Sequence, residues 1–91
     1  MLRMDIPISI NPGVQWKLVE GRAVLLDIDR ALVLQLDSVG TKIWLLIDGT
    51  RTGNDISEHL VEYFDVERKM AEKDVSVFLK QLLRNNAIAV H

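Results

Sequence analysis

Apolar and polar residues change their period once along this chain, close to position 37. Before that point the pattern alternates. Val14, Trp16 and Leu18 are interleaved with Gln15 and Lys17, the period-two spacing by which a strand sets one face on a core and the other in water. A turn at Val19-Glu20-Gly21-Arg22, where Gly21 can take positive φ, leads into a second apolar run over 23–28 that contains Val24, Leu26 and Ile28. Asp29-Arg30 reverses the chain again, and Leu32, Leu34 and Leu36 then alternate with Val33 and Gln35. These three runs predict an antiparallel meander. Its middle strand is paired twice, so the first and third strands each keep an open edge that the protein must manage.

After position 37 the spacing becomes helical, and each segment carries start and stop signals. Asp37 or Ser38 is placed to cap a helix whose face is Val39, Ile43 and Leu46 or Ile47, ending at Asp48-Gly49. Thr52-Gly53-Asn54-Asp55 has the form of a capping box with Asp in the place of Glu, followed by Ile56, Leu60 and Phe64 at i, i+4 and i+8 of a short second helix. Asp65 is the expected cap of a third helix, whose stripe of Ala71, Val75, Phe78, Leu79 and Leu82 should run to about Arg84. Asn85-Asn86 supplies a left-handed stop, and residues 87–90 read as a short strand or wing. Strands first and helices afterwards indicate an α+β fold. Three helices with a tight turn between the first two suggest a winged helix-turn-helix.

Composition narrows the function classes. A chain of 91 residues with 48% apolar and 26% charged side chains is expected to form one domain over 1–91, with its core over about 14–90. A domain this small has little room for both a core and a deep catalytic cleft. Eleven basic residues against thirteen acidic give a net charge of −2, which disfavours binding to a phosphate backbone. The absence of cysteine removes disulfides, thiolate metal sites and thiol catalysis. Residues 1–10 hold one Arg, one Asp and a Pro without the apolar core of a secretion signal, and no run is long enough to span a bilayer. A soluble, cytoplasmic protein is expected.

Enzyme chemistry finds no foothold. His59 has Asp55 four residues before it and Glu62 three after, but a metal site usually needs three or four converging ligands, and an exposed helix face with local ion pairs accounts for the group. The second histidine is His91, at the end of the chain. Ser9, Ser38, Ser57 and Ser76 have no histidine at a nucleophile-motif spacing. The glycines at 13, 21, 40, 49 and 53 make no phosphate-cradling pattern. No catalytic residue, metal ligand or cofactor is expected.

A family resemblance lies in an ordered set of residues: Leu25-Leu26-Asp27; Leu36-Asp37, Gly40, Ile43-Trp44 and Leu46; Asp48-Gly49-Thr50-Arg51-Thr52; Ile56 and Leu60; Asp74-Val75, Phe78-Leu79 and Leu82. Over residues 14–90 the chain resembles the PqqD-like family of precursor-peptide recognition elements, and within it the stand-alone leader-binding proteins of lasso-peptide pathways. The resemblance implies three antiparallel strands packed on three helices. It also implies that the leader of a ribosomally made precursor peptide is added as a strand beside the third strand, with the third helix as the other wall. The partners it implies are the precursor and a modifying enzyme, either a leader peptidase with its cyclase or a radical SAM enzyme as in pyrroloquinoline quinone synthesis. Departures from the family pattern fall at Ala31, where Gly is frequent, at Val33-Leu34, where an aromatic pair is frequent, and at Asn86, where Gly usually follows the last helix.

An open strand edge beside an amphipathic helix is the geometry of β-strand addition, in which backbone groups supply affinity and side-chain pockets supply selectivity. The expected peptide-binding residues are therefore Leu32, Val33, Leu34 and Gln35 on the edge, with Asp74, Val77, Lys80, Gln81 and Arg84 on the third helix. Lys80 and Arg84 could equally be a solvated face. Gly40, Trp44 and Asp48-Gly49 are assigned to packing and helix termination. The competing reading is a winged-helix DNA-binding regulator that uses Lys73, Lys80 and Arg84, against which stand Glu67, Glu72 and Asp74. A monomer or a weak, domain-swapped dimer is the expected state.

Overall fold

The computed structural model describes residues 2–90, so His91 lies outside the described residues. In chain order it contains β1 (Ile8–Ile10), β2 (Gln15–Val19), β3 (Arg22–Asp27), β4 (Leu32–Gln35), α1 (Ser38–Leu46), α2 (Gly53–Phe64), α3 (Arg68–Arg84) and β5 (Ile88–Val90). The fold is the expected α+β type, with an antiparallel β2-β3-β4 meander followed by three helices. No described helix is long and apolar enough to cross a membrane.

Local sequence explains the meander. Val19 and Arg22 face each other across a two-residue turn in which Glu20 (φ 53°) and Gly21 (φ 79°) are both left-handed, the turn geometry that matches the twist of the flanking strands. The second hairpin pairs Asp27 with Leu32 around a four-residue loop. That loop closes through Ala31 N–H donating to the Ile28 carbonyl at 3.2 Å, with Ala31 itself at φ 53°.

Register fixes which side chains reach the helices. Trp16, Leu25 and Leu34 lie opposite one another across the three strands, as do Leu18 with Ala23 and Asp27 with Leu32. Ala23, Leu25, Asp27, Leu32 and Leu36 are buried. In β3, then, the alternate set inside is not the Val24, Leu26 and Ile28 series that the apolar run emphasised. Leu26 and Ile28 are exposed on the outer face. Both sets of β3 are mostly apolar, so hydrophobicity alone could not choose between them. The tight turn sets the register, and the Thr41 hydroxyl anchors it by accepting Ala23 N–H at 2.9 Å. Trp16 and Leu18 have the expected inward phase. They remain about half exposed because β2 is an outer strand, and Trp16 meets the buried Trp44 edge-on at 6.2 Å.

The starts of α1 and α2 follow their capping chemistry. Asp37 accepts Gly40 N–H at 2.8 Å to begin α1, and Thr52 and Asp55 complete a reciprocal capping box on α2. Asp65 does not cap α3. It ends α2 in a left-handed conformation (φ 53°), and α3 starts after Glu67 with no side-chain cap. An acidic residue between two helices fits either role, because Asp both caps and tolerates positive φ. The apolar faces of α2 and α3 close on Trp44, Ile43 and Leu25, with Ile56, Leu60, Val75, Leu79 and Leu82 fully or nearly fully buried.

β1 was not expected. Ile8–Ile10 pairs antiparallel with β5, Ile8 opposite Val90 and Ile10 opposite Ile88. Its start is sewn to the joint between α1 and α2: Ile8 N–H donates to the Arg51 carbonyl at 3.1 Å, and Gly49 N–H to the Ile8 carbonyl at 2.9 Å. The only advance signal was the alternation of Ile6, Ile8 and Ile10, interrupted by Pro7. The expected wing at 87–90 thus exists, but as half of a two-stranded sheet made from both ends of the chain.

Candidate functional site

The site grows from one edge of the meander. β4 is the last strand of its sheet, and no described strand pairs with its outer side. Leu36 N–H donates to the Ala23 carbonyl at 2.8 Å. In an antiparallel ladder the directly bonded pairs alternate, so Leu32 and Leu34 also turn their N–H and C=O toward β3. Val33 and Gln35 turn theirs to the open edge. Of the four backbone positions expected to meet a guest strand, two can do so through the main chain. Leu32 and Leu34 contribute side chains instead, the first buried and the second half-buried, on the face toward the helices. Val33, 72% exposed, points its side chain to the opposite face.

α3 provides the other wall. Asp74, Val77, Phe78 and Gln81 follow at i, i+3, i+4 and i+7 and line a cavity of about 420 Å³, closed on its far side by Asp37, Val39, Gly40 and Ile43 of the α1 end. Arg84 lines a second cavity of about 490 Å³ with Arg30, Ala31, Leu32, Val33, Asn85 and Asn86. Of the expected helix residues, Asp74, Val77, Gln81 and Arg84 are brought to the groove. Lys80 is exposed and lines neither cavity. A helical stripe from Asp74 through Val77, Phe78, Gln81, Arg84 and Asn85 leaves Lys80 out and takes in Phe78, which belongs by spacing to the core stripe as well. Arg30, Ala31 and Asn86 were missed because they reach the groove from loops distant in sequence.

The two cavities differ in charge. Arg30 pairs with the buried Asp27 at 3.0 Å and lies 3.5 Å from the Asn86 carbonyl. Arg84 makes no ion pair among the described residues and sits in the last turn of α3, where the helix carbonyls favour a cation. The other cavity holds Asp37, which is engaged in capping, together with Lys73 and Asp74 around an apolar floor. Gly40 gives the Phe78 ring its space: a Cβ there would stand 3.0 Å from the ring and 3.2 Å from the Asp37 carboxylate.

The remaining sequence candidates are structural. Asp48 accepts Thr50 N–H, the Thr50 hydroxyl and Arg51 N–H, each at 2.9 Å, and the Arg51 guanidinium at 3.1 Å. The backbone N–H groups of Thr50 and Arg51, with the Thr50 hydroxyl, push its carboxyl down to about 2. Arg51 in turn donates to the Leu46 carbonyl at the end of α1 at 3.1 Å, so this joint holds helix, turn and β1 together. His59 shares a shallow hollow of about 180 Å³ with Arg51, Asp55, Glu58 and Glu62. The Asp55 carboxylate there is spent on the capping box, and no group of three metal-ligating side chains occurs among the described residues.

The model of one family, Coenzyme PQQ synthesis protein D (PqqD), matches residues 22–88, from β3 through the groove to β5. The chain belongs to the PqqD family. Among solved structures, TbiB1 in complex with the TbiA(beta) leader peptide is 25% identical, with a TM-score of 0.81 over 88% of this chain and 93% of that one. A lasso peptide synthetase B1 complexed with the leader peptide is also 25% identical, with a TM-score of 0.78 over 90% and 96%. The PqqD truncation of Methylobacterium extorquens PqqCD, described as a functional, stand-alone RiPP recognition element, shares the fold at 20% identity, with a TM-score of 0.80 over 98% and 95%. No curated protein sequence matches the chain.

Proposed function

We propose that this PqqD-family chain is a non-catalytic adaptor that binds the leader of a ribosomally synthesised precursor peptide and presents it to a modifying enzyme. The observation that carries the reading is the row of main-chain groups at Val33 and Gln35, open on the outer side of β4, where Leu32 and Val33 share a cavity with Arg84 at the end of α3. A guest strand completing that row would gain backbone hydrogen bonds worth about 0.5–1.5 kcal/mol each, and its alternate side chains would enter the two cavities. Leu34, Val77, Phe78 and Gln81 would contact it, and Leu32 would form the floor. Holding the leader raises the effective concentration of the attached core segment at the enzyme. Positioning of this kind needs no bond chemistry in the adaptor and no cofactor.

The two leader-bound relatives at 25% identity support a lasso-type pathway, with a leader peptidase and cyclase as the enzymes served. The alternative, delivery to a radical SAM enzyme, would use the same groove and a different docking partner. DNA binding finds less support, because Lys73 and Arg84 share their helix face with Asp74 and the net charge is −2. The protein would act in the cytoplasm as one domain, either monomeric or weakly dimeric.

Titration of the purified protein with a fluorescent synthetic leader of its cognate precursor tests the proposal. Saturable binding that Val33→Pro removes is expected. Failure of the cognate leader to bind would overturn it.

A further inference from the structure

We infer that the end of the groove beside the β3–β4 loop is a subsite for an acidic side chain of the bound strand, formed by Arg84 with Arg30. The inference rests on the peptide-binding reading above and adds to it the chemistry of one ligand position. Two guanidiniums line that cavity and no carboxylate does. The nearest bonded carboxylate, Asp27, is buried behind Arg30 and offsets one of the two charges. Asp29 belongs to the same loop but does not line the cavity. Arg30 is held in place through one nitrogen, Nη1, by Asp27 and the Asn86 carbonyl, while its Nε and Nη2 donate to no described group. A fork fixed on one side and open on the other is suited to a carboxylate.

The opposite end of the groove has the complementary character. Asp37 and Asp74 outnumber Lys73 there, around Val77 and Phe78, so an acidic side chain is repelled and an apolar one accepted. The charge gradient therefore selects a direction for the guest. The second cavity touches Val33 and the first Asp37, a separation of four residues from β4 to the cap of α1, or roughly 13 Å at strand rise. An even spacing puts both guest side chains on the same face, toward α3. In antiparallel addition, which continues the pattern of this sheet, the apolar anchor comes first and the Asp or Glu follows about four positions later.

Selection of a displayed library of random dodecapeptides on the whole protein tests this, followed by anisotropy titration of the consensus peptide made with Glu, Gln or Lys at the acidic position. The expected result is enrichment of an acid about four residues after an apolar anchor, and a loss of about 5-fold or more in affinity on Glu to Lys replacement. Arg84→Glu should reverse the preference. Lys80→Glu, which makes the same change in net charge on the same helix outside the groove, should leave it intact. Indifference to the acidic position, enrichment of the acid before the anchor, or equal effects of the two variants would overturn the subsite while leaving peptide binding in place. Selection of no saturably binding peptide would instead overturn the peptide-binding reading and this inference with it.

Discussion

Glu20, Ala31, Asp65 and Asn86 all hold positive φ, and each does so where the chain must reverse. For Ala31 the left-handed conformation costs about 1 kcal/mol, because its Cβ crowds the following carbonyl and no side-chain polar group compensates. Ala31→Gly should therefore raise stability by about 0.5–1 kcal/mol in urea denaturation. Glu20→Asn, which makes the Asn-Gly pair favoured in this turn, should give a similar gain. Gly40 poses the reverse problem. Gly40→Ala would force the Phe78 ring outward by a few tenths of an ångström, at the wall of the cavity that both residues line. The fold should persist, and leader affinity should fall by about 2- to 5-fold as measured by anisotropy. Residue-level features of this kind were legible in sequence wherever the chemistry is local. The Thr52–Asp55 box is read directly and Asp37 as one of two candidate caps with Ser38, whereas Asp65 is not, because an acid between two helices can close the first or open the second.

At the scale of the element, the β4 ladder gives neighbouring residues opposite roles. Val33 offers its N–H to the open edge and Leu34 offers its N–H to β3, so the two proline variants should separate binding from folding. Val33→Pro should fold with a loss of less than about 1 kcal/mol and bind leader at least about 10-fold more weakly. Leu34→Pro should cost about 2–3 kcal/mol and lower the melting temperature. Circular dichroism with peptide titration checks both. In sequence the two positions are equivalent, since the alternation of side chains is visible there and the hydrogen-bond phase is not. That phase depends on the tight turn at Glu20-Gly21 and on the bond from Leu36 to Ala23. The joint between α1 and α2 makes a pH prediction. The carboxyl of Asp48 is depressed to about 2 by the N–H and hydroxyl groups around it. Its stabilisation is accordingly complete above the ordinary value near 3.8 and is lost as pH falls toward 2. Asp48→Asn should flatten the stability profile between about pH 4 and 2, read by thermal denaturation at each pH against the parent protein.

Over the whole molecule, the order of elements from β2 to β5 and the class of fold follow from the single change of period near position 37 and from the caps. What the pattern could not supply was contact between distant segments. β1 is a three-residue strand, too short to announce itself beside Pro7, and it exists because β5 and the Asp48–Thr52 joint are there to receive it. The candidate groove has the same character. Its α3 wall could be listed by helical spacing, apart from Lys80 and Phe78. Its charged end is assembled from the β3–β4 loop and the end of α3, more than fifty positions apart in sequence, and is tied through Arg30 and the Asn86 carbonyl. Leader binding by strand addition depends above all on the main-chain groups of Val33 and Gln35 being vacant until a peptide arrives. Amide hydrogen exchange, followed residue by residue by NMR with and without saturating leader, measures this directly. In the free protein Leu32 and Leu34 should exchange slowly and Val33 and Gln35 rapidly, and bound leader should slow the latter pair by about tenfold or more. Protection of Val33 and Gln35 before any peptide is added, or unchanged exchange there once binding has saturated, would contradict it.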